Sequence, residues 1–159
     1  MTPAIHIVDD DADFREGLAW LFDSRGHQAQ TWAGGDLFLE ALRARLPYWG
    51  PAVVLLDIRM EPLSGLATFE DLTTLGCPWP ILFLTGHGDV SMAVAAVKNG
   101  AWDFLEKPFQ NNVLVDKVEQ ALAAASHQVG PDDMILVTGS LFVVGEARKI
   151  LIPQNLPQK

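Results

Sequence analysis

Five short apolar runs alternate with longer segments of helical period along most of this chain. The runs are AIHIV (4–8), QAQTW (28–32), AVVLL (52–56), ILFLT (81–85) and WDFLE (102–106). Nearly continuous apolar strands indicate burial on both faces of a sheet, and parallel strands need crossover connections that are usually helices. The alternation therefore predicts an α/β fold, a doubly wound sheet of five parallel strands covered by helices on both faces.

The segments between and after the runs predict five helices from their apolar spacing and their start and stop residues. They are a helix ending near Arg25, one over 35–46, one that Ser64 caps and that ends near Leu75, one that ends at a left-handed Gly100, and one over 113–125. Leucine and valine spacing puts Leu37, Leu39, Leu42 and Leu46 on the second helix, and it puts Val90, Val94 and Val97 on one face of the fourth.

Polar residues of unusual chemistry follow four of the five strands. The first strand ends in Asp9, Asp10 and Asp11, the third in Asp57, the fourth in Thr85, and Lys107 follows the fifth. Sites in open parallel sheets form at the carboxyl ends of the strands, so we expect these side chains to converge. Converging carboxylates need compensating charge, which a hard dication and a lysine supply. The pattern predicts a Mg²⁺ site beside a nucleophilic aspartate.

Three stretches carry a close resemblance to a known family. HIVDDD, LLDIRMEPLSG and LTGHGDVSMAVAAVKNGAWDFLEKPF resemble the receiver domain of bacterial two-component response regulators, over residues 4–125. Within that family they are most similar to regulators of nitrogen-fixation and dicarboxylate-transport genes. The resemblance implies a flavodoxin-like receiver fold, and a response regulator that controls transcription as its output through its conformation.

The resemblance also assigns roles at the strand ends. It implies that Asp57 accepts a phosphoryl group from the phosphohistidine of a sensor histidine kinase. Asp9, Asp10, Asp57 and the backbone carbonyl of Arg59 would hold Mg²⁺. The family is a phosphoacceptor signalling domain that catalyses only its own phosphoryl transfer and dephosphorylation, so we expect no enzyme in the usual sense.

A switch is implied by the same resemblance. Lys107 and Thr85 would contact the phosphoryl oxygens, and the rotamer of Phe104 would follow Thr85. The bond between Lys107 and Pro108 is where the family tends to have a cis peptide, which proline makes accessible. Phosphorylation would favour a homodimer through the face formed by the fourth helix, fifth strand and fifth helix.

One position departs from the family pattern. Members of the family usually have proline four residues after the phosphorylated aspartate, whereas here Glu61 takes that place and Pro62 follows. Loop length is kept, and the additional acid predicts slower phosphorylation or weaker binding of a phospho-donor.

Charge and composition narrow the partners and the compartment. Residues 1–127 contain 8 Lys and Arg against 17 Asp and Glu, which disfavours direct binding of nucleic acid or of anionic lipid. The only cysteine is Cys77, and no apolar run approaches the roughly 18 residues of a membrane span. We expect a cytoplasmic protein with no membrane association.

The last part of the chain does not fit the receiver pattern. We divide the chain into a receiver domain, 1–127, and an appended strand and helix, 128–159, whose role is unknown. Residues 130–151 resemble the C-terminal strand and helix of folylpolyglutamate and dihydrofolate synthases. No ligase activity follows, because the nucleotide-binding loop G-x-x-x-x-G-K-[ST] is absent from the sequence.

Two other function classes compete with the receiver interpretation. Phosphatases of the haloacid dehalogenase type also use a strand-end aspartate and Mg²⁺, but they carry a second acid where this chain has Arg59. A vestigial receiver that dimerises without phosphorylation, as an interaction module, is the other alternative, and Glu61 is its motivation.

Overall fold

The computed structural model describes residues 2–45 and 50–127 and contains one five-stranded parallel sheet. Its strand order is β2-β1-β3-β4-β5, with neighbouring strands paired in parallel throughout. The predicted doubly wound α/β fold is confirmed. The strands are β1 (Ala4–Val8), β2 (Gln28–Trp32), β3 (Ala52–Asp57), β4 (Ile81–Thr85) and β5 (Asp103–Glu106).

Within the described ranges, four helices and one short 3-10 turn connect the strands, and a fifth helix follows the last strand. Side-chain caps start two of the helices, since Asp11 accepts from the Phe14 amide and Ser64 accepts from the Ala67 amide. The predicted left-handed Gly100 is confirmed at φ 112°. The helices are α1 (Ala12–Ser24), α2 (Gly35–Arg43), α3 (Gly65–Thr74), α4 (Val90–Lys98) and α5 (Asn111–His127), and the turn is His87–Asp89.

The sheet separates two apolar cores. α1 and α5 pack on one face and α2, α3 and α4 on the other. β3 lies in the middle with all six residues buried, and its side chains alternate between the cores: Val53 and Leu55 face α1 and α5, and Val54 and Leu56 face the other three helices. Burial on both faces fixes the register of β3 and therefore the position of its last residue, Asp57.

The apolar residues that the spacing puts on α2 and α4 do not all pack against the sheet. In α2, Leu39, Leu42 and Phe38 are buried, whereas Leu37 is 48% exposed. Phe38 lies against the buried imidazole of His6, with ring centroids 5.2 Å apart, and packs in the same core as Leu39 and Leu42.

In α4 the valines do not form the buried face. Val94 is 37% exposed, Val90 and Val97 are half-buried, and the fully buried positions are Ala93 and Ala96. Small side chains let the helix axis approach the sheet closely, so the bulkier valines are left beside the contact.

Some predictions lie outside the described residues. They include Leu46 and the strand and helix expected in 128–159. Across the two described ranges, no helix combines the length and the apolarity needed to cross a membrane.

Candidate functional site

The polar strand ends converge at the carboxyl edge of the sheet. β1, β3 and β4 are adjacent there, and the order in which successive strands join the sheet reverses between β1 and β3, which is the switch point where such folds form their sites. The register aligns Val8 with Leu56, so Asp9 and Asp57 emerge side by side. Thr85 ends the next strand, opposite Glu106 of β5.

Three carboxylates share one pocket. Asp9, Asp10 and Asp57 each offer an oxygen, and these oxygens all lie within 4.8 Å of one another. Asp9 and Asp57 are buried, at 1% and 8% exposure, whereas Asp10 faces solvent. Asp9 is held in place by the Asp11 amide, which donates to its Oδ1 at 2.9 Å. The cluster presents hard oxygen donors to the solvent side, which is the ligand chemistry that Mg²⁺ prefers.

Lys107 places a positive charge among these carboxylates. Its Nζ lies 3.1 Å from Asp57 Oδ1 and 3.2 Å from Asp9 Oδ2, and 4.0 Å from the centroid of the Phe14 ring. The backbone positions it too, because the Lys107 amide donates to the Thr85 carbonyl at 2.7 Å. The Lys107–Pro108 peptide is cis, as expected from the resemblance.

The pocket perturbs the ionisation of Asp57. Burial, reinforced by the charge of Asp9 and opposed by Lys107, raises the pKa of Asp57 from 3.8 to about 6. Burial acts to lower the pKa of Lys107, but the charges of Asp9 and Asp57 outweigh it and the pKa is raised. Lys107 therefore stays cationic at neutral pH, while ionised Asp57 sits in a pocket with an excess of negative charge.

A glycine sets the close approach of α3 to Asp57. A Cβ on Gly65 would lie 1.9 Å from the Asp57 backbone oxygen, and the Gly65 amide donates to the Ile58 carbonyl at 2.8 Å. Only glycine fits this contact without moving the end of β3. Sequence reasoning did not single out Gly65, although the Ser-Gly pair at the start of the helix was a usable signal.

The predicted switch residues occupy neighbouring strands. Thr85 is fully buried at the end of β4, and its hydroxyl donates to the Gly86 carbonyl at 3.1 Å. Phe104 is half-buried on β5 and packs against the core formed with α2, α3 and α4. The threonine hydroxyl is thus bonded to its own loop in this structure.

The side chain of Arg59 has a partner that the sequence did not reveal. Its Nε and Nη2 donate to the two carboxylate oxygens of Asp89 at 2.6 and 2.8 Å. The Asp89 side chain is only 3% exposed, whereas that of Arg59 is 78% exposed. This bidentate ion pair joins the loop after β3 to the turn before α4. The two residues are 30 positions apart, so no local pattern signals the contact.

Comparison with known proteins identifies the class that this fold and site define. A family model for the response regulator receiver domain matches residues 5–119, and the chain belongs to that family. It is a receiver domain of the kind found in two-component response regulators, which are signalling proteins. Phosphorylation and Mg²⁺ at the acidic pocket are typical of the family.

Individual relatives agree with the subgroup expected from the motifs. The chain is 43% identical over 126 residues to the C4-dicarboxylate transport transcriptional regulatory protein DctR of Rhodobacter capsulatus, covering 78% of this chain and 62% of the relative. It is 40% identical over 133 residues to the transcriptional regulatory protein FixJ of Bradyrhizobium diazoefficiens, covering 80% and 63%. The chain thus spans about three fifths of the length of these curated relatives.

A solved structure shows the same architecture. Full-length FixJ from B. japonicum superposes with a TM-score of 0.70 at 40% sequence identity, over 77% of this chain and 58% of that one. The flavodoxin-like receiver fold is confirmed by this match together with the strand order.

Proposed function

We propose that Asp57 is the phosphoacceptor of this receiver. The supporting observation is the contact of its carboxylate with Lys107 Nζ at 3.1 Å, at the open end of the central strand and beside Asp9. A carboxylate oxygen of Asp57 attacks phosphorus, the bond from phosphorus to the histidine nitrogen of a sensor kinase breaks, and the nitrogen keeps the electron pair. The product is an acyl phosphate on Asp57 and a free histidine.

The carboxylates fit a bound Mg²⁺, with Asp9, Asp10, Asp57 and the Arg59 backbone carbonyl as its ligands. The support is the three oxygens within 4.8 Å and the excess of negative charge that they create. When bound, the ion neutralises charge on the carboxylates and on the transferring phosphoryl oxygens. Lys107, whose Nζ contacts Asp57 Oδ1, would contribute the second compensating charge and would donate to a phosphoryl oxygen.

Thr85 and Phe104 form the proposed switch. Thr85 would exchange its bond to the Gly86 carbonyl for one to a phosphoryl oxygen, and Phe104 would move with it. Exposed apolar side chains on the neighbouring helices, Val94 of α4 and Val113 of α5, support dimerisation through the face formed by α4, β5 and α5. Phosphorylation would raise the affinity of this homodimer.

The remaining assignments follow from the family and from charge. We infer a sensor histidine kinase as the phosphoryl donor and regulation of transcription as the output, with a receiver over 1–127 and a separate segment over 128–159. The acidic receiver would not bind nucleic acid directly, and a cytoplasmic location suits this role. Catalysis would be limited to the receiver's own phosphorylation and dephosphorylation.

A vestigial receiver is the competing proposal, and the site argues against it. A chain that no longer needed phosphoryl transfer would have little reason to keep Lys107 between two buried carboxylates, since such groups are costly to bury. Glu61 is exposed, so its charge is partly screened by solvent. We therefore expect it to alter rates without removing the chemistry.

Intact-mass measurement after incubation with acetyl phosphate tests the proposal. The wild type should gain about 80 Da, one phosphoryl group, only when Mg²⁺ is present. Asp57→Asn should gain nothing, and Asp11→Asn, which changes an acid that caps α1, should behave as the wild type. No gain at any Mg²⁺ concentration favours the vestigial alternative, and a gain retained in Asp57→Asn places the phosphoacceptor elsewhere.

A further inference from the structure

The turn between β4 and α4 makes side-chain contacts with the residues on both sides of it. The turn comprises residues 86–89, and its Gly86 carbonyl accepts a hydrogen bond from the Thr85 hydroxyl. Two side chains of the turn, Asp89 and His87, pair with residues at or after the ends of neighbouring strands. On one side Asp89 pairs with Arg59 of the loop after β3. On the other side His87 Nδ1 lies 2.7 Å from Oε1 of Glu106, the last residue of β5.

The Arg59–Asp89 and His87–Glu106 pairs differ in strength. The His87 side chain is 98% exposed, and an exposed pair of this kind contributes little. Asp89 is buried and takes both of its hydrogen bonds from one guanidinium, which is the strong, charge-assisted geometry. The hydrogen bonds from Arg59 hold the pKa of Asp89 below its ordinary value, so the carboxylate is charged at neutral pH. Without Arg59, that charge would be buried with no compensation.

The position of this pair connects it to the phosphoacceptor. Arg59 follows Asp57 by two residues, and Asp89 follows Thr85 by four within the same short connection. A phosphoryl group on Asp57 brings roughly two negative charges to the edge where the Arg59 loop begins, and they compete with Asp89 for the guanidinium. A buried carboxylate that loses its partner is driven toward solvent, and α4 begins at the next residue.

We propose that the Arg59–Asp89 ion pair is a latch that holds the β4–α4 turn at rest and keeps the Thr85 hydroxyl on the Gly86 carbonyl until Asp57 is phosphorylated. Asp89 is a positioning residue, since it acts through Arg59 and the turn without contacting the reacting atoms. This inference rests on the proposed phosphorylation switch and adds the contact that restrains it.

Hydrogen exchange of the full chain, followed by mass spectrometry without any phospho-donor, tests the latch. In Asp89→Asn the amides of residues 86–98 should exchange about tenfold faster or more than in the wild type, because the charged pair is lost. Arg59→Ala should give the same result. The double variant should exchange no faster than either single variant, because both changes break one contact. Sedimentation should show tighter self-association of both single variants.

Controls separate a latch from a general loss of stability. His87→Ala removes the exposed pair with Glu106 and should leave the exchange of residues 86–98 within about twofold of the wild type. Exchange of β1 and β3 amides reports global unfolding and should accelerate in Arg59→Ala by no more than the exchange of residues 86–98, because the lost pair stabilises only the folded state. If Asp89→Asn does not fold, Arg59→Ala decides the question alone.

The outcome is distinguishable from failure of the proposed function. Wild type with a beryllium fluoride phosphoryl mimic and Mg²⁺ is measured in parallel. No change in wild type on adding the mimic overturns the switch itself. A change in wild type, with Arg59→Ala and every folded Asp89→Asn sample indistinguishable from resting wild type, overturns the latch. Acceleration of residues 86–98 in the resting variants, toward the exchange of wild type with the mimic, supports it.

Discussion

Lys107 Nζ lies 3.1 Å from Asp57 Oδ1, and this contact joins the ends of two strands that are not neighbours. Asp57 ends β3, Lys107 follows β5, and β4 lies between them in the sheet. The long lysine stem spans β4, and the aromatic face of Phe14 supports its ammonium. A shorter cationic side chain at the end of β5 could not reach Asp57 at the end of β3. This reach explains why a lysine supplies the positive charge of the site.

Removal of that charge should slow phosphorylation. Lys107→Met keeps most of the side-chain volume and deletes hydrogen bonds to two carboxylates, each worth about 1.5–3 kcal/mol when a charged group is involved. If one such interaction is retained in the transition state, incorporation from acetyl phosphate should fall about tenfold to a hundredfold at fixed Mg²⁺. Lys117→Met, which breaks the distant pair with Asp103, is the matched control and should leave the rate unchanged.

The stability of the metal-free protein should depend on Asp57 in a defined pH window. The pKa of Asp57 is raised by burial from 3.8 to about 6, so the folded state binds more protons at this group than the unfolded state between these values. Stability contributed by the protonated carboxyl is therefore present at low pH and is lost as the pH rises from about 4 through 6.

Asp57→Asn removes this pH-dependent loss. It should raise the free energy of unfolding at pH 7.5 by about 1–2 kcal/mol in EDTA, a value reduced because one side of the pocket meets solvent. The gain should vanish near pH 4. Urea titrations of both proteins at the two pH values measure it. A variant equally stable to wild type at pH 7.5 would contradict the raised pKa.

Magnesium should stabilise the wild type and depend on Asp9. A ligand at 100 times its dissociation constant adds about 2.7 kcal/mol to the free energy of unfolding, which is a readily measured rise in melting temperature. Asp9→Asn removes one buried ligand and should lose most of this rise. Asp11→Asn should keep it, because that carboxylate caps α1. A rise retained in Asp9→Asn would place the metal elsewhere.

Two glycines offer a matched test of how α3 positions Asp57. Gly65→Ala brings a methyl group 1.9 Å from the Asp57 carbonyl oxygen and should destabilise the fold by about 1–3 kcal/mol, as overpacking does. Gly17→Ala lies in α1 with no atom within 4 Å of the added carbon, and should stabilise the protein by about 0.5–1 kcal/mol. Thermal melts of both variants against wild type compare the two effects.

The strands and their exits were predictable because each was encoded locally. An apolar run indicates a buried strand, and the end of the run marks where the chain reaches the carboxyl edge of the sheet. Parallel pairing then brings Asp9, Asp57 and Thr85 to that same edge. The face of α2 was not predictable from period alone, since Leu37 and Phe38 are both apolar. In the structure it is Phe38 that packs against His6 of β1, a contact between residues distant in sequence.

The Arg59–Asp89 pair shows the same limit at the site. Neither residue is unusual in its own segment, and only the adjacency of β3 and β4 brings their loops together. Pattern reading finds residues whose chemistry is conspicuous at a strand end. It does not find a surface arginine whose importance comes from the buried carboxylate that it meets.

The proposed dimer face gives the last prediction. Val94 lies on the side of α4 away from the α3 groove that Met92 lines, and it is exposed, as is Val113 on α5. Val94→Asp adds a charge to each copy at the interface, where two like charges would meet and must be desolvated. The variant should stay monomeric with the beryllium fluoride mimic and should accept phosphoryl groups at the wild-type rate.

Leu37→Asp, on the exposed side of α2, should still dimerise. Sedimentation of the three proteins with and without the mimic decides between the outcomes. Dimers of Val94→Asp equal to those of wild type would move the interface away from α4, and a wild type of constant mass would remove dimerisation from the mechanism.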